Sequence, residues 1–269
     1  MKNRVLLTIT SLLLTTVMSV GQARHSQGGV KSDKSGPLTS CGSSYRLVPT
    51  DGHVGNYDYI SANSTIYYWE SFLAGHSYSV EVWDPYDNPG DNASLSLWSG
   101  CSTAVSTSDI QSMDPALGEG GFTDRMSWIS GSSDWYQIAL ANGDASNGYY
   151  FYLRVTDTTL HSSRWSTWSG FGTQYAFVNE TGSSISGVLT VTESGGAKHS
   201  LNVTIPANSE AFRTVQASGG DVSVGANKSG FSDFAYVGPE GAIMADAVII
   251  NASATVIEPV AFAARNYQH

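Results

Sequence analysis

Residues 78 to 83 read YSVEVW, with apolar and polar side chains taking strict turns. That period of two is the strongest constraint on this chain. A strand points successive side chains to opposite faces, whereas an amphipathic helix needs apolar residues three and four apart. The same alternation returns in SLSLW (94 to 98), WYQIAL (135 to 140) and YYFYLRV (149 to 155). It continues through YAFVN, GVLTVTE, HSLNVTI, EAFRTV, DVSVG, DFAYVG, IMADAVII and VIEPVAFAAR. Each run is short and is stopped by Gly, Asn, Asp or Pro, the punctuation of strands and turns. No segment has a convincing helical period. The expectation is an all-β chain built as two antiparallel β-sandwich domains.

Aromatic residues mark the division. All seven Trp lie between Trp69 and Trp168, and Tyr is dense over the same span, while Ala, Val, Gly and Ser dominate afterwards. The joint is expected in RWSTWSGFGTQ, Arg164 to Gln174, giving sandwiches over 41–165 and 172–269. Residues 24–40, rich in Gly, Ser and charge, read as a flexible leader. Residues 1–23 read as a signal peptide. Lys2 and Arg4 precede an apolar run from Val5 to Val20, and Gly21-Gln22-Ala23 supplies the small residues of a cleavage site. The Thr and Ser within that run set it apart from a membrane span.

Charge and cysteine count narrow the partners. Loss of Lys2 and Arg4 with the signal peptide takes the formal charge from −10 to −12. Nucleic-acid binding needs basic clusters, and docking on anionic lipid needs them too. The sequence therefore points to a secreted or periplasmic chain with no nucleic-acid partner and no membrane insertion after cleavage. Cys41 and Cys101 are the only cysteines. In an exported protein that is the number for one disulfide. The spacing fits no zinc motif.

YYWESFLAGHSYSVEVW joins a strand, an Ala-Gly-x-x-Tyr turn and a second strand; ASLSLWS, DRMSWI, DWYQIALA and GYYFYLRV follow. In these motifs residues 45–156 resemble the bacterial prepeptidase C-terminal (PPC) domain, a jelly-roll-like sandwich attached to secreted enzymes. The resemblance implies a bacterial source and an accessory role in secretion, substrate attachment or the folding of an enzyme. The second half is similar to bacterial immunoglobulin-like modules in strand rhythm alone.

Gly75-His76-Ser77-Tyr78-Ser79 is one residue short of a nucleophile elbow. An elbow needs a strand-to-helix turn with glycine at its fifth position. Here the fifth position is Ser79 and the alternation of a strand follows, so the segment reads as a turn between two antiparallel strands with Ser77 on the polar face. A carboxylate-based secreted hydrolase would need two converging acids. Between Glu81 and Asp124 there are eight carboxylates and no Lys or Arg. Hard oxygen ligands at such spacing suit calcium, with Asp84, Asp87 and Asp91 as ligands, although Asp in turns is commonly a turn former. Trp165 and Trp168, with Arg164, break the strand alternation and read as an exposed aromatic pair able to stack on a glycan. Trp83, Trp98, Trp128 and Trp135 read as strand and core residues. Asp124-Arg125 reads as an ion pair that pins a loop. The leading expectation is a secreted, non-catalytic binding or structural protein that recognises an extracellular protein or glycan through loops of the first sandwich; a secreted carbohydrate-binding protein and the hydrolase are the alternatives.

Closing the loop from Cys41 to Cys101 restricts the unfolded chain by about 4 kcal/mol. Mass spectrometry of non-reduced peptides is expected to join the two cysteines. Two alkylatable thiols in the exported protein would remove the bridge.

Overall fold

A computed structural model of the chain describes residues 30–31, 45–46, 56–83, 93–99, 103–107, 109–112, 122–251, 253 and 257–264. The regular structure of the described residues is strand apart from one 3-10 turn at Trp168–Gly170, and among them no helix is long and apolar enough to cross a membrane.

The first unit contains β1 (Val30–Lys31), β2 (Tyr45–Arg46), β3 (Asn56–Ile60), β4 (Thr65–Phe72), β5 (Ser77–Trp83), β6 (Ala93–Ser99), β7 (Thr103–Thr107), β8 (Asp109–Ser112), β9 (Phe122–Ile129), β10 (Asp134–Asn142) and β11 (Tyr149–Asp157). A six-stranded sheet runs β1-β3-β11-β5-β9-β8 and a five-stranded sheet runs β2-β4-β10-β6-β7. All pairs are antiparallel except β1 with β3 and β2 with β4. The inward parity of each strand supplies one core. Val80 and Val82, Met126, and Phe151 and Leu153 face it from the larger sheet, while Tyr68, Leu97, Ile138 and Leu140 face it from the smaller. Phe72 sits at one end of that core, with the rings of Tyr78, Trp128 and Tyr136 centred 4.4, 4.9 and 5.4 Å away. Such ring pairs add roughly 0.5–1.5 kcal/mol each beyond area burial.

Consecutive strands repeatedly change sheet. β4 belongs to the smaller sheet and β5 to the larger, so the AGHS turn is an arch between layers, not a hairpin. Its geometry explains the Ala-Gly-x-x-Tyr motif. Gly75 has φ +79°, a conformation that glycine adopts without steric cost. Its N–H donates to Ser130 O (2.7 Å), the Ser130 N–H donates to His76 O (2.8 Å), and the Leu73 N–H donates to the Tyr78 hydroxyl (2.8 Å). Two arches are thereby tied together at one end of the sandwich. β5 and β6 also lie in different sheets, and residues 84–92 between them lie outside the described residues.

The second unit contains β12 (Leu160–Ser166), β13 (Phe171–Asn179), β14 (Ile185–Glu193), β15 (Lys198–Ile205), β16 (Ser209–Gln216), β17 (Val222–Ser223), β18 (Ser229–Tyr236), β19 (Ile243–Asn251) and β20 (Ile257–Ala264). Its two layers are parts of one continuous sheet, ordered β15-β14-β18-β12-β20-β19-β13-β16-β17. The sheet curls into a near-barrel, bringing β15 at one edge beside β16 and β17 at the other. Tyr175, Phe177, Leu189, Val191, Phe234 and Tyr236 lie in the core it encloses. ESGGAK is a true hairpin, in which the Gly196 N–H donates to Glu193 O (2.8 Å). Burial pushes the Tyr175 hydroxyl far above its usual pKa, and Ser232 Oγ lies 3.0 Å from it.

The domain joint falls earlier than residues 165–172. β12 pairs with β18 and β20 and so belongs to the second sheet. The first core ends at Val155 and the second begins at Leu160. Between Ser162 and Trp165 the register of β12 on β18 shifts, opposing Trp165 to Gly230. This bulge reverses the parity, turning Trp165 inward and leaving Arg164 outside. Trp165 is 0% exposed, and its indole N–H donates to Phe231 O (3.0 Å) and Thr192 O (3.2 Å). Glycine is required at position 230, because a Cβ there would stand 1.8 Å from that same Thr192 oxygen.

These environments predict different responses to truncation. Trp165→Ala should cost about 3–5 kcal/mol, as for a large buried aromatic. Trp168→Ala, at a side chain that is 54% exposed, should stay within about 0.5 kcal/mol. Denaturant unfolding of both variants checks the contrast, and equal losses would contradict it.

Candidate functional site

The sequence-derived sites fare unequally. Asp84, Asp87 and Asp91, and both Cys41 and Cys101, lie outside the described residues. The glycan pair is corrected: Trp165 is a core residue, Arg164 forms a 2.6 Å ion pair with Glu258, and only Trp168 projects from its turn. Its alternation breaks because of the bulge, not because the segment is a loop. The side chain of Asp124, and with it the pairing with Arg125, lies outside the described residues.

Ser77 is corrected as well, since it is 0% exposed despite its polar parity. The Thr158 hydroxyl donates to Ser77 Oγ (2.9 Å), and the Ser77 N–H donates to Thr159 Oγ1 (2.9 Å). Beside it, His76 Nδ1 lies 2.7 Å from Asp157 Oδ2, while Asp157 Oδ1 accepts the Thr159 N–H (2.9 Å). A serine, a histidine and an aspartate are neighbours, yet they clamp the link between units. The serine oxygen is covered by a threonine and offers no path to an incoming carbonyl.

Other titratable groups are paired in a similar way. Each described histidine rests on a carboxylate: His161 Nδ1 is 2.8 Å from Asp233 Oδ1, and His199 Nε2 is 3.0 Å from Glu193 Oε1. Glu193 also holds Lys228 Nζ at 2.7 Å. The hydrogen bond from Lys228, then that from His199, depresses its carboxyl below the ordinary range. Arg154 joins Glu81 within the six-stranded sheet and reaches Glu240 of the second unit at 3.7 Å. Asp144 is a turn former: the Ser146 N–H, the Asn147 side chain and the Asn147 N–H donate to its carboxylate and lower its pKa. Among the described residues no group of three or more His, Cys, Asp or Glu converges as a metal set.

The chemically distinctive surface is the outer face of the five-stranded sheet. Strand parity puts Ile66, Tyr68 and Phe72 of β4 inward and Tyr67 and Trp69 outward. On β10, Tyr136, Ile138 and Leu140 go inward, with Trp135, Gln137 and Ala139 outward. On β6, Leu95 and Leu97 go inward, with Ser94, Ser96 and Trp98 outward. Register aligns Trp69, Gln137 and Trp98 directly across three adjacent strands. Gln137, with a tryptophan on each side, is 3% exposed, while Trp69 and Trp98 are half-buried. Trp135 stands one outward position further along β10, opposite Ser71, and is 46% exposed. The Trp98 indole N–H donates to Ser96 Oγ (3.0 Å), which fixes its ring and satisfies its only donor. The assignment of Trp98 and Trp135 to the core is thus corrected to the outer face, whereas Trp128 is a core residue. On the larger sheet's outer face, Tyr59 and Tyr150 form a smaller exposed pair with ring centroids 5.0 Å apart.

No family model matches this chain, and no curated protein matches it in sequence.

The Glu193 cluster gives a pH prediction. A carboxyl whose folded pKa is depressed stabilises the fold fully above its unfolded value, near 4.3 for Glu, and loses that contribution as pH falls through the folded value. Glu193→Gln should therefore lower the denaturation midpoint at pH 7, by an amount that shrinks as pH falls below the unfolded value. A wild-type-to-variant gap that stays constant as pH falls through the carboxylate range would show that the charge is not the source.

Proposed function

We propose that this chain is an exported, non-catalytic binding protein. The first sandwich recognises an extracellular protein or glycan, and the second unit supports and spaces it. The observation that carries this reading is the outer face of the five-stranded sheet, which sets Trp69, Trp98 and Trp135 around a buried glutamine. Aromatic rings with a large solvent-facing area are the side chains from which binding energy is most often drawn. The signal-like leader, the acidic balance and the resemblance of residues 45–156 to PPC domains support export and an accessory role. The containment of Ser77, His76 and Asp157 in the inter-unit clamp favours binding over acyl transfer.

The test uses the full exported chain and an extracellular envelope fraction. Wild type should be retained and the combined Trp69→Ala, Trp98→Ala, Trp135→Ala variant lost, with no peptide or reducing end released beyond controls. Retention indifferent to the three substitutions, or multiple turnovers of product, would overturn the reading. The calcium proposal at Asp84, Asp87 and Asp91 is read in the same assay by melting temperature. Millimolar calcium against a chelator should raise it in wild type and not in Asp87→Ala; no shift in wild type removes calcium from the reading.

A further inference from the structure

We infer that the Trp69–Gln137–Trp98 row, with Trp135, is a stacking platform for an uncharged polysaccharide; this rests on the reading of that face as the binding surface. Trp69 and Trp98 lie on β4 and β6, with β10 between them. Two strand spacings separate their backbones by about 10 Å. Trp135 is displaced two residues along β10, roughly 7 Å, placing three rings on one face at the scale of a short run of sugar units.

The chemistry of the face selects the ligand. On the outward positions of β4, β10 and β6 the described side chains are aromatic, hydroxyl, amide or methyl, and none is Asp, Glu, Lys or Arg; the backbone of Arg46, on β2, stands opposite Trp69 at the end of the row. A polyanion would find no cation on these three strands and would be opposed by a chain of formal charge −10. A polycation would find no carboxylate there. A protein partner is ordinarily met by aromatic residues mixed with Met and Arg, and with aliphatic side chains at the buried centre. No Leu, Ile, Val, Met or Arg stands at a described outward position of β4, β10 or β6; Val105, 44% exposed, lies on the edge strand β7. A pyranose ring offers the complement: axial C–H groups with slight positive character for the negative face of an indole, and hydroxyls around the edge for Ser71, Ser94 and Tyr67. Because Ser96 already holds the Trp98 N–H, that indole contributes its ring face and not a hydrogen bond.

Affinity electrophoresis and sedimentation with the full exported chain test the proposal. The neutral probes are cellulose, chitin, xylan, galactomannan and mixed-linkage β-glucan; the anionic probes are alginate and polygalacturonate. At least one neutral polysaccharide should bind. Trp69→Ala, Trp98→Ala and Trp135→Ala should each weaken it by roughly 2- to 12-fold, the range for one aromatic contact. Trp69→Phe and Trp98→Phe should restore most of the loss, and Trp168→Ala should leave binding unchanged. Absence of binding to every neutral probe, binding to the anionic probes alone, or loss equal in Trp168→Ala would overturn the glycan assignment. If the triple variant loses envelope retention that is protease-sensitive while no polysaccharide binds, the binding face stands and its ligand is protein. If neither retention nor polysaccharide binding responds to the triple variant, both readings fall.

Discussion

Four residues, Thr156 to Thr159, separate the last core residue of the first unit from the first core residue of the second, and the relation of the two units depends on how they are held. The Thr158 N–H donates to Ser77 O (2.9 Å), its hydroxyl to Ser77 Oγ, and Thr159 Oγ1 takes the Ser77 N–H. Asp157 closes the set on His76. Thr158 and Thr159 are 2% and 0% exposed, so these hydrogen bonds are shielded from competing water. A buried polar group left without a partner costs about 1–3 kcal/mol, so the connector is stable in this one arrangement and penalised in others. Arg154, bound to Glu81 and reaching Glu240, adds a second tie across the same seam. The connection is therefore a built junction, in contrast to the Gly- and Ser-rich composition of a flexible linker.

The fold class was legible because alternation is a statement about faces. In β4 the inward Ile66, Tyr68 and Phe72 and the outward Tyr67 and Trp69 follow directly from period two. The strand rhythm of the second half corresponds to β13 through β20 for the same reason. What alternation cannot convey is which strands pair. LAGHS looks like a hairpin turn, because Gly punctuates an arch as readily as a hairpin; only long-range pairing places β4 and β5 in different sheets.

The candidate site was half legible. Trp165 and Trp168 were singled out because alternation fails around them, and it does fail, at the bulge between Ser162 and Trp165. A bulge inverts the faces beyond it. Local sequence therefore signals the irregularity without its sense, and Trp165 went into the core with Gly230 opposite. The outer-face tryptophans were obscured for the opposite reason. WYQIAL carries apolar or aromatic residues at both parities, and a strand hydrophobic on both faces reads as buried. The discriminating signal was Gln137: a polar residue at the parity of Trp135 marks that face as the outer one.

That placement bears on recognition itself. Binding residues are commonly carried on loops, which must be ordered when a ligand arrives, with a cost for each immobilised side chain. Trp69, Gln137 and Trp98 occupy β4, β10 and β6, and each of these strands has a hydrogen-bonded neighbour on both sides in the five-stranded sheet. Trp98 is further held by Ser96, and Gln137 is walled in by its two neighbours. Little conformational freedom remains for a ligand to remove. A weak, extended partner that offers only small contacts at each ring gains most from such a surface, because contacts of this size are readily cancelled by the entropy of ordering a loop.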